Sequence, residues 1–189
     1  MNRKIIRQAF VVVGLVSIGV VGRFLFLETP NFSATAAVAV FAGFYLSKRS
    51  TALLVPVLVM ALSNLTLDSY DSAGEMLVIY AAFVFPAVLS HHLREGAFEN
   101  RKLSRLGFGV CAAAPSMVFF VTTNFAVWAF NGVYPHTSAG LVECYVQAAP
   151  FYQYTLAGDV LCTSAIFGSY FLARRCITAT RTETLVARR

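Results

Sequence analysis

Seven residues within or beside long apolar runs carry most of the chemistry this chain can offer: Arg23, Asn64, Asn124, Trp128, Tyr134, Tyr152 and Asp159. Ionisable and amide side chains are costly in hydrocarbon, so where they persist they face a protein interior or a wet cavity. Their spacing groups them further. Met60, Asn64 and Asp68 recur every four residues, Phe120, Asn124, Trp128 and Asn131 follow at 4, 4 and 3, and Tyr152, Thr155, Asp159 and Thr163 at 3, 4 and 4. Each set shares one face of a helix. Rings, amides, one acid and one base suit a small polar or heteroaromatic ligand, because binding pockets are mostly apolar with a few placed polar groups.

Each of these residues also has a plainer use. Arg23 can snorkel to headgroups, pair with Asp159 as structural glue, or touch ligand. A carboxylate as deep as Asp159 must be paired, protonated or wet. Asn64 and Asn124 can join helices by hydrogen bonds, while Trp128 and Tyr134 can belong to an aromatic belt. Catalytic signatures do not appear: the chain has no G-x-x-x-x-G-K-[ST] loop, zinc spacing or nucleophile elbow, so neither ATPase nor other enzyme activity is expected, and no cofactor. His91 and His92 project about 100° apart on a helix. With His136 in an opposite loop, the three cannot ligate a shared haem. Cys144 is expected in an outer loop, Cys176 inside, and Cys111 and Cys162 within helices, which leaves no pair for a disulfide.

The elements that position these groups follow from composition. Of 189 residues, 58% are hydrophobic and 13% charged, with 17 Phe and 8 Tyr, and the mean hydropathy is +0.68. A soluble globular domain and a disordered chain are both excluded. Residues 1–189 read as a single all-α polytopic domain with six transmembrane helices, estimated at 8–27, 33–47, 51–67, 74–90, 106–130 and 150–173, and a basic tail over about 174–189. Fourteen of the 15 Lys and Arg residues fall before the first helix, between the second and third, between the fourth and fifth, or after the sixth; only Arg23 does not. By the positive-inside rule both termini are cytoplasmic. The net charge of +6 is thereby assigned to membrane orientation, and no nucleic-acid partner is expected. Because Arg23 interrupts the end of the first apolar run, and removing that run would spoil the charge alternation, the first helix reads as a span and not a removable signal. Asp159 would lie nine residues into the sixth helix, about 14 Å from its outer end.

Small residues recur at helix spacing at Ala36, Ala39 and Gly43 and at Gly158, Cys162, Ala165 and Ser169. Such faces pack helices closely or dock another membrane subunit. Gly14, Gly19 and Gly22 are expected to smooth the first helix.

Several stretches resemble an uncharacterised bacterial family labelled as transport proteins, itself similar to the substrate-binding S components of energy-coupling-factor (ECF) transporters. They are Asn31-Phe32-Ser33 through Gly43, Leu62-Ser63-Asn64-Leu65, Thr123-Asn124-Phe125-Ala126-Val127-Trp128, Tyr134-Pro135-His136-Thr137, Gly140 through Tyr145, Ala149-Pro150-Phe151 and Leu156-Ala157-Gly158-Asp159. Asn64 stands where that family's S-D-L pattern has an acid, which removes a charge. The resemblance implies an S-component-like six-helix bundle in the bacterial cytoplasmic membrane, an outward ligand pocket, and docking to a transmembrane coupling subunit with ATPases. The expected function is capture of a small vitamin-like molecule or precursor for import. The alternatives are a self-sufficient secondary transporter using Asp159 as its proton-coupling carboxylate, and a non-transport subunit of a membrane complex.

Overall fold

A computed structural model describes residues 3–29, 31–67, 70–96 and 101–186, with side-chain surroundings for these less 95–96, 101–106 and 181–186. Asp68, expected on the third-helix stripe, lies outside the described residues. The chain forms α1 (Arg3–Leu25), α2 (Thr35–Tyr45), α3 (Arg49–Ser63), α4 (Ala73–Gly96), α5 (Arg101–Phe130) and α6 (Ser138–Val186). Four of them, α1, α4, α5 and α6, are long and apolar enough to cross a membrane.

The arrangement is governed by α2. Its sequence, TAAVAVFAGFY, is apolar on every side and mostly small, the composition of a helix with no solvent face. Thr35 through Gly43 are all buried. α2 packs against each of the other five helices, which wrap it in the order α1, α3, α4, α5, α6; among the described residues α1 and α6 do not touch, so the ring is open there. Its closest neighbour is α4, where Gly43 lies so near the Ala87 carbonyl that a side chain would collide with it. The small α2 residues therefore serve packing within the bundle.

Only 11 residues long, α2 spans about 16 Å, roughly half of a bilayer core. Its carboxyl end is fixed at one end of the bundle, where Arg94 from the last turn of α4 donates to the carbonyls of Leu46 (3.0 Å) and Phe44 (3.4 Å). A cation there offsets the helix dipole and satisfies orphan acceptors. Gln8 donates to Ser47 at the same end, and Phe41, Phe44 and Tyr45 pack edge-on or tilted against Phe167, Tyr170 and Phe171 of α6. Above α2, toward the other end, lies a cleft bordered by Thr29, Asn31, Phe32 and Ser33 of the connection from α1.

Two expectations about the helices change. α6 begins at Ser138, not near 150, and runs unbroken for 49 residues with Pro150 inside it. Asp159 is thus 21 positions from its start. Of the first-helix glycines, Gly19 packs on Val59 and Gly22 on Ala34, and only Gly14 faces open space; two of the three are contact positions.

Candidate functional site

The space above α2 is a cleft of about 270 Å³, lined on the polar side by Arg23, Thr29, Asn31, Ser33 and Tyr70, with Met60 and the rings of Phe83 and Phe119 deeper in. Arg23 is the last basic residue of α1 and is brought against α3 by the Gly19 contact with Val59, while Gly22 seats the same turn on Ala34 before α2. Its guanidinium donates to the Met60 sulfur and, at 3.3 Å, to Asn64 Oδ1. Asn64 in turn donates from Nδ2 to the hydroxyls of Tyr70 (2.9 Å) and Tyr80 (3.3 Å). That amide accepts on one side and donates on the other, which a carboxylate cannot do. The neutral amide thus joins the Arg23 guanidinium to both phenols without adding a carboxylate charge beside Arg23. Burial pushes the Tyr70 phenol above its ordinary value, opposed by the Asn64 bond and the Arg23 charge, so it stays a neutral hydroxyl at physiological pH.

Below this cleft lies a narrow space of about 10 Å³, room for one water-sized group. Asn31, Ser33, Phe83 and Phe119 line both, so the two adjoin. Thr155 and Asp159 of α6 complete it with Ala36, Ala82, Pro86 and Pro115. Asp159 is 5% exposed and makes no hydrogen bond or ion pair among the described residues. The prolines matter here, because a proline in a helix removes one backbone donor and frees the carbonyl four residues earlier. For Pro86 that carbonyl belongs to Ala82, itself a wall residue.

The approach of α6 to this place depends on Gly158. A Cβ there would stand 3.2 Å from the Ser33 nitrogen and 3.4 Å from the Phe32 ring, so the glycine lets the loop before α2 lie close on α6, and a side chain would push it back by a few tenths of an ångström. Asn31 at the head of that loop has φ of 60°, a left-handed conformation that Asn tolerates better than most residues. Thr29 and Phe32 close the loop through backbone bonds, and Phe26 packs on Phe32 at 4.6 Å.

The seven residues singled out from sequence separate into three places. Arg23 and Asn64 form the cleft's polar wall, with Asn64 behind Arg23 and not lining the space, and Asp159 closes the deep end. Asn124 and Tyr134 line a second, shallower groove of about 420 Å³ with Glu143, Gln147 and Phe151. Asn31 belongs to both openings. Asn124 bonds its own helix at Phe120 O (2.7 Å). Trp128 and Tyr152 serve packing: the indole donates to Pro135 O at 3.0 Å and meets His136 edge-on, and the Tyr152 ring lies 5.1 Å from that of Phe120. The fifth-helix stripe therefore does not open on the cavity that the third helix borders. Arg23 and Asp159 are not an ion pair. Cys144, expected in an outer loop, is on α6, 2% exposed, with its thiol donating to Asn124 O at 3.3 Å.

Sequence reasoning passed over Asn31, Ser33, Tyr70, Pro86 and Pro115. The loop residues follow no helical period; the prolines carried a signal, each being a break inside an apolar run.

No curated protein and no solved structure matches this chain. A family model does match, over residues 3–180, and the chain belongs to that family of unknown function, DUF6580.

Proposed function

We propose that this chain is a membrane-embedded binding protein that takes a small polar molecule from the outer side of a bacterial cytoplasmic membrane into the cleft above α2. The carrying observation is the half-length α2, above which part-buried Arg23 and buried Asp159, of opposite charge sign, line two adjoining spaces that share four wall residues. In this reading all six helices lie within the bilayer, α2 and α3 being short because neighbours shield them, and both termini are cytoplasmic. Import is driven by a separate coupling subunit with ATPases, as the missing phosphate loop and the resemblance to S components suggest. Two measurements test it. Mass spectrometry of the detergent-extracted protein should find a retained small molecule, and vesicles holding the chain alone should not accumulate solute on addition of ATP.

A second reading, secondary transport, is favoured by one observation: Asp159 is buried without a partner, as a proton-carrying acid would be. Accumulation driven by a proton gradient through the purified chain alone would establish it in place of the first.

A further inference from the structure

The cleft holds two charges that do not neutralise each other, and this specifies what it accepts. Arg23 is part-buried against a sulfur, an amide oxygen and two phenols, and no carboxylate bonds to it among the described residues. Asp159 lines the small space adjoining the cleft, and no cation bonds to it among the described residues. An unpaired buried charge is expensive, and it is satisfied by a counter-charge brought in by a ligand. The two ends also differ in size. The Arg23 end opens into about 270 Å³ and admits a carboxylate on a ring-sized body, against Phe26, Phe32, Phe83 and Phe119. The Asp159 end has about 10 Å³, which fits a water-sized head and nothing larger.

A primary ammonium is such a head. Its three donors would find the Asp159 carboxylate, the Thr155 hydroxyl and the freed Ala82 carbonyl, with Phe83 and Phe119 completing the wall. Resting on the binding function proposed above, we infer that the ligand is a zwitterion: an amino-acid-like molecule with a carboxylate for Arg23, a primary ammonium for Asp159 and an apolar, ring-sized body between. A trimethylated or bulky amine is excluded by the size of the deep end.

Three probes that share one body separate the contributions: phenylalanine, 3-phenylpropionate, which lacks the amine, and phenethylamine, which lacks the carboxylate. Equilibrium binding and thermal shift are measured on the full chain in nanodiscs, in sodium chloride and in choline chloride at equal ionic strength. Phenylalanine should bind at least about tenfold tighter than either fragment, as expected for one charge-assisted contact. Asp159→Asn should abolish the preference over 3-phenylpropionate, and Arg23→Gln the preference over phenethylamine. The wild-type comparison stands even where a variant does not fold.

The other outcomes overturn the inference in distinguishable ways. If 3-phenylpropionate binds as tightly as phenylalanine and remains sensitive to Arg23→Gln, the cleft is a binding site but not for a zwitterion. If sodium chloride alone raises the melting temperature over choline chloride and Asp159→Asn removes that rise, the deep end holds a free ion instead. No binding of any probe at millimolar concentration removes both the inference and the binding reading beneath it.

Discussion

Asn64 shows how one side chain sets the electrostatics of the site without entering it. By accepting from Arg23 and donating to Tyr70 and Tyr80, it ties α1, α3, α4 and the loop before α4 into one wall. Asn64→Asp would keep the acceptor and replace the amide donors with a second acceptor, so that the two tyrosine hydroxyls turn to donate to it and the new charge pairs with Arg23. We expect Asn64→Asp to weaken binding of an anionic probe about tenfold or more while the melting temperature changes little, since the new ion pair offsets the lost bonds. Asn31 makes a sharper test. With φ at 60°, Asn31→Gly should melt within a degree or two of wild type, whereas Asn31→Val should cost about 1–2 kcal/mol in thermal unfolding and disturb the loop that separates the two grooves. The third-helix and sixth-helix spacings identified Asn64 and the inward line Thr155, Asp159, Thr163, all three of which are buried. Periodicity names a face; it does not say what the face meets, which is why Asn124 and Trp128 were grouped with a cavity they do not border.

At the scale of the helix, equal residues have unequal jobs. Gly14 and Gly43 are both helical glycines, yet a side chain at Gly14 meets nothing within 4 Å and one at Gly43 meets the α4 backbone. Gly14→Ala should leave the melting temperature unchanged or raise it, by up to about 1 kcal/mol of helix propensity. Gly43→Val should lower it by about 1–3 kcal/mol or prevent extraction of folded protein, because α2 and α4 must move apart. The number and order of the helices were readable from apolar runs and charge clusters. The start of α6 was not, because Pro150 looks like a boundary in sequence, and in lipid a proline is tolerated inside a helix where neighbours satisfy the freed carbonyl. Nor was the burial of α2 on all sides, since an all-apolar stretch gives no face to project.

For the molecule as a whole, the basic residues at the α1 start, the α2–α3 turn, the end of α4 and the second half of α6 gather at one end, as the contacts of Ser47, Leu46 and Tyr45 show. Orientation in the membrane is then testable with thiols. Cys144 is sequestered by Asn124 and should resist an impermeant maleimide under all native conditions; Cys176 is exposed on α6 and should react only once the membrane is opened. Val133→Cys, in the loop between α5 and α6 and 67% exposed, should react in sealed cells. Labelling of Cys176 in sealed cells would reverse the orientation.

α6 is also a lever. From Pro150 to Val186 it runs without another proline, and the rings of Phe41, Phe44 and Tyr45 grip it near Phe167 and Tyr170 like a fulcrum. Asp159 lies about 12 Å to one side of Phe167 and the far end about 28 Å to the other, by helical rise. A tilt that moves Asp159 by about 1 Å therefore swings the opposite tip by more than about 2 Å. Filling the deep end of the cleft would be felt across the bilayer as displacement of a rod, with no relay of side chains needed between.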